Sequence, residues 1–123
     1  MKSLIVLVGL CAALAERPAS AQTSSTSANA TADQSTSDRG KQVYDKWCTP
    51  CHGAGEGKPG TISAAAIYKG SKPAVLSERT DLTAAGIKTA VRSGVYIMPR
   101  FRKTEVTDAE LDGIIAYLTR LTR

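Results

Sequence analysis

The sequence predicts an all-α domain, and three observations carry that prediction. Thr107 and Glu110 stand at capping-box spacing, and Leu111, Ile114, Ile115 and Leu118 follow them at i, i+3, i+4 and i+7. Thr83 can cap a second amphipathic run, with Ile87, Ala90 and Val91 on one face, Arg92 in the last turn and Gly94 just past the end. No stretch alternates apolar and polar residues as a half-buried strand does, and no internal repeat is present.

The length of 123 residues suits one domain, and 42% hydrophobic with 22% charged residues excludes wholesale disorder, a collagen-like chain or a multi-span membrane protein. A single His excludes sites built from several imidazoles, and three Cys cannot make a disulfide framework. Met1-Lys2, the apolar stretch Leu4 to Ala15 and the triplet Ala19-Ser20-Ala21 read as a secretory signal over residues 1–21, cleaved near Ala21. An uncleaved membrane anchor is the alternative, but the apolar stretch falls short of the ~20 residues a bilayer needs. Lipidation at Cys11 is disfavoured because Leu10 before it is not small.

Residues 22–37 hold Ser, Thr, Ala, Asn, Gln and one Asp, with no large apolar side chain to offset the entropy of ordering, so this segment reads as a flexible linker. Its Asn29-Ala30-Thr31 matches the glycosylation acceptor pattern, for which chance is sufficient explanation in such a composition. The folded domain then spans 38–123. Asp38 to Trp47 places Val43, Tyr44 and Trp47 at helical spacing and runs directly into Cys48. Gly53, Gly55, Gly57 and Gly60 with Pro59 mark a loop, and Ser63 to Lys69 an Ala-rich helix closed by Gly70 and Pro73. Between the Thr83 helix and the last helix lies an irregular segment, Val95-Tyr96-Ile97-Met98-Pro99. Arg120 and Arg123 suit the C-terminal dipole of the last helix.

The chemistry-bearing residues are Cys48-Thr49-Pro50-Cys51-His52. C-x-x-C-H is the attachment signature of c-type haem: two thiols one helical turn apart can each add to a porphyrin vinyl group, and the adjacent imidazole then reaches the iron. A thioredoxin-type pair wants a preceding strand and a parallel sheet, and half a zinc ribbon wants a second ligand pair; neither is present. A plain Cys48–Cys51 disulfide stays open but leaves His52 unexplained. Once the signal is removed, Cys48, Cys51, His52 and Met98 are the only Cys, His and Met residues, so Met98 is the available sixth ligand of a single haem, in the common Met/His arrangement. A core filler is the competing role for a lone Met. Pro99 biases Met98 towards an extended conformation.

From about Arg39 to Leu121 the sequence resembles a small class I cytochrome c, whose fold wraps helices around one covalently bound haem and crosses its first and last helices. Gly40 and Tyr44, with Ile114 and Tyr117, match the family's crossing positions, and Pro59 resembles the loop proline whose carbonyl accepts from the ligand His. Three stretches, Arg79-Thr80-Asp81-Leu82-Thr83, Val91-Arg92-Ser93-Gly94 leading to Met98-Pro99, and Phe101 to Leu111, are similar to cytochrome subunits that partner flavoproteins oxidising 4-alkylphenols, of the p-cresol methylhydroxylase and eugenol hydroxylase type. The resemblance implies a periplasmic electron carrier with no substrate chemistry of its own, taking single electrons from an FAD-dependent dehydrogenase and passing them to a downstream acceptor. A free shuttle between respiratory complexes is one alternative. A haem enzyme or gas sensor, with an open distal site, is another.

The net charge of +5 becomes +4 on signal removal, and Lys69 to Lys103 alone carries eight Lys and Arg against two acids, a local +6. Arg79, Arg100 and Arg102 in this stretch are candidates for neutralising the haem propionates. The remaining field could steer an acidic partner, or simply be a solvated surface. No aromatics interleave with the basic residues as nucleic-acid binding requires, and no stable membrane insertion is expected after cleavage.

Overall fold

Small residues set the main contact of the molecule. In the computed structural model, which describes residues 25–120, α1 (Ser25–Trp47) crosses α5 (Asp108–Arg120) so closely that a Cβ built on Gly40 would fall 1.8 Å from the Gly113 carbonyl oxygen. Gly113 in turn lies against the Gly40 backbone and the Thr36 carbonyl. Ser37, Gly40 and Tyr44 recur at i, i+3 and i+7 and form the α1 side of this crossing face, all three buried. Tyr44 meets Tyr117 with ring centroids 5.4 Å apart, as the crossing positions anticipate.

The predicted signal segment and its cleavage point near Ala21 lie outside the described residues. The linker expectation for 22–37 is different in the structure: helix begins at Ser25, and Ser37 is only 1% exposed. For the end of this segment nearest Gly40 the physical reason is the crossing itself, where Thr36 and Ser37 lie against α5. An absence of large apolar side chains argues against order only where large side chains must fill the interface, whereas here backbones touch and Ser or Gly is what fits. The Arg120 guanidinium donates to the Gln34 side-chain oxygen (2.5 Å), a further tie between α5 and the same stretch.

Cys48 breaks the chain out of α1 and α2 (Thr49–His52) follows at once. α3 runs Pro59–Tyr68, beginning four residues before the predicted Ser63, because Lys58 is extended and Pro59, with its fixed φ, suits a first helical turn. A short 3-10 turn at Leu76–Glu78, unpredicted, precedes α4 (Ala84–Ser93). The predicted cap is present, with the Thr83 hydroxyl accepting from the Gly86 N–H, and Ile87 and Val91 are buried. At α5 the Thr107–Glu110 capping box is also present: Thr107 N–H donates to Glu110 Oε2 (2.7 Å) and Glu110 N–H to Thr107 Oγ1 (3.2 Å). The architecture is all-α, with no strand among the described residues, as the sequence predicts.

Among the described residues, seven apolar ones form the buried core: Tyr44, Ile87, Val91, Val106, Leu111, Ile114 and Leu118. Around them Trp47, Cys48, Leu76, Leu82, Met98 and Phe101 are only partly covered.

Gly40→Ala should be strongly destabilising, by about 3 kcal/mol, because its Cβ would fall 1.8 Å from the Gly113 carbonyl oxygen and overpacking against backbone cannot be relieved by rotamer changes. Denaturant unfolding measures it, and a loss below 1 kcal/mol would show that the helices can part at no cost. Acid should also weaken the fold. Arg79 and then Lys72 hold the Asp81 carboxyl well below its ordinary 3.8, and Lys103 and then Arg92 lower Asp108 in the same way. A carboxylate with a depressed folded pKa contributes stability above its ordinary value and loses it as pH falls from there through the folded value. The melting temperature should therefore decline below about pH 4, and Asp81→Asn should flatten that decline.

Candidate functional site

The C-x-x-C-H motif is held as a single helical turn. The Cys51 and His52 N–H groups both donate to the Cys48 carbonyl (3.0 and 2.8 Å), so the two thiols leave the backbone one turn apart with the imidazole directly after them. Both cysteines are free thiols rather than a disulfide, Cys48 half-buried and Cys51 exposed. Burial, with the adjacent Cys51, pushes the Cys48 thiol up to about 11.

His52 is half-buried, and burial holds its imidazole below the ordinary 6.5, hence neutral at physiological pH with a nitrogen lone pair to offer. The first turn of α3 is pressed on the ring: a Cβ on Gly60 would fall 2.7 Å from His52 Cε1 and 2.8 Å from Nδ1. Glycine at 60 is thus what allows α3 to approach the Nδ1–Cε1 edge of the ring. The Thr61 hydroxyl donates to the Gly53 carbonyl (2.8 Å), fastening α3 to the residue after His52. Sequence reading placed Gly60 in a loop; its role shows only once Pro59 is seen to open a helix against the ring.

Met98 is reached through a different set of contacts. Its N–H donates to the Val95 carbonyl (2.8 Å) and the Val95 N–H to the Met98 carbonyl (3.2 Å), so the segment predicted to be irregular is a closed turn. Beyond it, the Phe101 N–H donates to the Val91 carbonyl (2.8 Å), and the Arg92 guanidinium donates to the carbonyls of Phe101 (3.1 Å) and Val106 (2.9 Å) and to Asp108 (2.8 Å). Arg92, expected only to suit a helix dipole, is the clasp of this segment. The Phe101 ring stands edge-on to Trp47, centroids 6.0 Å apart, and Trp47 immediately precedes Cys48. This contact joins the segment following Met98 to the attachment motif, and both Cys48 and Met98 pack on the same apolar core.

The three candidate arginines do not share one cluster. Arg79 makes a bidentate pair with Asp81 (2.8 and 2.7 Å), donates to the Tyr68 hydroxyl (2.5 Å) and lies 4.8 Å from the centre of the Tyr68 ring. Arg100 is exposed, and Arg102 is exposed beside Glu105 (3.6 Å). The local +6 is also less free than its sum suggests. Lys72 and Arg79 share Asp81, and Arg92 and Lys103 share Asp108, an acid supplied from beyond the basic stretch.

These residues fit a covalent haem. Two thiols and an imidazole sit on one turn, a thioether is anchored on the same core, and among the described residues no cluster of three His, Cys, Asp or Glu could hold a metal unaided. α3 buries none of its residues, and its Ile62 and Ile67 stay 59% and 60% exposed. A flat apolar group beside His52 has uncovered apolar surface here to pack against. Gly60→Ala should displace the imidazole, costing about 1 to 3 kcal/mol and moving the His52 ring resonances. Unmoved resonances would show that α3 does not set the ring.

No curated protein and no solved structure matches the chain. The family described as cytochrome c oxidase, cbb3-type, subunit III matches residues 35–118, more than half of the sequence and the whole of the site. Its match begins at residue 35, just before the Ser37–Gly40 face. Cytochrome c domains hold haem c covalently and transfer electrons, and no described helix is long and apolar enough to cross a membrane. The chain belongs to the cbb3-type oxidase subunit III family of cytochrome c domains and is a class I c-type cytochrome.

Proposed function

We propose that this chain is a periplasmic monohaem electron carrier, exported with cleavage near Ala21, in which Cys48 and Cys51 anchor one haem and His52 and Met98 ligate its iron. The observation that carries the reading is the Trp47–Phe101 contact, which ties the attachment turn to the segment bearing the sole thioether of the mature chain. When bound, the haem supplies a one-electron iron couple.

The chain's own residues do the rest. His52, neutral and pressed by Gly60, is oriented before any ligand arrives, and the Pro59 carbonyl is the natural acceptor for its Nδ1–H. The clasp of Arg92 on two backbone carbonyls holds the Met98 segment in place, so the distal ligand need not be recruited from a mobile loop. With His52 and Met98 both holding the iron, no position on it would be left for a substrate, which favours electron transfer over a haem enzyme or gas sensor, and a thioether donor would keep the potential high. Arg79 is committed to Asp81 and Tyr68, so Arg100 and Arg102 are the freer cations for carboxylates.

The donor we favour is a flavoprotein dehydrogenase, FAD-dependent and acting on 4-alkylphenols, on the similarity of the Arg79–Thr83, Val91–Pro99 and Phe101–Leu111 stretches to cytochrome subunits of such enzymes. The oxidase-subunit family match favours a second reading, a carrier that feeds a terminal oxidase. Size-exclusion of the native protein separates them, because a lasting complex with a flavoprotein belongs to the first and a free monomer to the second.

Met98→Ala should leave the haem attached, open the iron to carbon monoxide and lower the reduction potential by on the order of 0.1 V, within the ~0.8 V that axial ligation spans. Redox titration and visible spectra check this; unchanged values would remove Met98 from the iron. Mass spectrometry of the exported protein should find one haem bound and Gln22 as the first residue, and a haem-free product would sink the reading.

A further inference from the structure

The turn that carries Met98 has properties that ligation alone does not require. Tyr96 adopts φ 52°, the left-handed region that a bulky side chain avoids, and its side chain is 93% exposed. Ile97 beside it is 77% exposed. Single exposed apolar residues are ordinary, but two neighbours at the tip of a turn, one in a disfavoured conformation, form a projecting knob. Its base is stiff. The Val95–Met98 hydrogen bonds close it, and Gly94, at φ 75°, lies so near the Met98 carbonyl and Arg100 N that a Cβ would fall within 2.7 and 3.2 Å of them. Arg100 thus leaves the chain at the foot of the knob, exposed and without an ion pair among the described residues, while Lys72, Arg79, Arg92 and Lys103 all have acidic partners.

We propose that the Tyr96–Ile97 tip is a docking element that enters an apolar pocket rimmed by carboxylates on a redox partner protein, with Arg100 meeting the rim. This rests on the electron-transfer reading above, since the same turn carries Met98. Tyrosine is a preferred interface anchor because it buries a large area at small entropic cost, and an unpaired rim cation steers encounter with an acidic surface. A second copy of the chain fits poorly, because a two-fold contact through the tip would bring Arg100 against its own counterpart. A lipid surface fits poorly too, because two side chains on a turn offer far less apolar area than an interfacial helix.

Flash reduction of the haem-loaded protein by two donors tests this: reduced flavodoxin, an acidic flavoprotein, and photoreduced riboflavin, a small uncharged one. Tyr96→Gly with Ile97→Ser should slow reduction by flavodoxin roughly tenfold, the scale of losing an interface hot spot, and leave the riboflavin rate and the melting temperature unchanged. Arg100→Gln should flatten the salt dependence of the flavodoxin rate. An unaltered flavodoxin rate in the tip variant overturns the docking role. So does a parallel fall of both rates with lost thermal stability, which would make the tip structural. Wild-type binding to phosphatidylglycerol vesicles, or a wild-type dimer in sedimentation, that the tip variant abolishes would assign the knob to a lipid or to self-association instead. If wild-type protein accepts no electron from riboflavin, the electron-transfer reading itself fails; if it does and the tip variant keeps its flavodoxin rate, only docking fails.

Discussion

Contact between backbones at Gly40 and Gly113 is the constraint from which the other placements follow. It fixes the axis of α1 against α5, and the ends of those two helices are where the site is assembled. The C-terminal end of α1 delivers Trp47 and Cys48. The N-terminal end of α5 delivers Thr107, Asp108 and Glu110, the capping and ion-pair partners that hold the chain returning from Met98. A larger residue at either glycine would move both ends at once, so the geometry at Cys48 and at Met98 is set by a contact that touches neither.

Arg92 converts this frame into a held distal segment. Its planar fork donates to two carbonyls and a carboxylate that belong to three different positions of the 101–108 stretch, which no lysine could reproduce with a single point charge. Trp47 against Phe101 then sets the distance between the two halves of the site by ring contact. The thiols of Cys48 and Cys51, the His52 imidazole and the Met98 thioether are thus organised through apolar and backbone contacts, with surface ion pairs such as Lys41–Asp45 contributing little.

Helices with large apolar stripes and explicit caps, α4 and α5, were legible because Thr83, Thr107, Glu110 and Gly94 are local signals whose meaning does not depend on the partner element. The attachment motif was legible for the same reason: its chemistry is contained in five consecutive residues. What escaped depends on approach. Ser37 and Gly113 read as neutral composition until a second backbone is placed beside them, and Gly60 reads as loop until a ring lies against it. Arg92 carries no sequence signal separating a dipole partner from a clasp, since its acceptors at Phe101, Val106 and Asp108 are defined only by the return path of the chain. The basic excess over Lys69–Lys103 misled in the same way, because Asp108, which pairs with part of it, lies outside the window counted.

The seven-residue core also bears on how the protein comes into being. A domain of this size with so few fully buried side chains gains little from burial within the chain alone, and the half-covered Trp47, Leu76, Leu82 and Phe101 with the uncovered face of α3 place much of the remaining apolar surface where the prosthetic group belongs. Acquiring that group would then add to the stability of the folded chain by covering this surface. For a reversibly bound cofactor such coupling makes stability depend on ligand concentration. Covalent attachment, through Cys48 and Cys51 as proposed, would abolish that dependence, because dilution could not then unload the core.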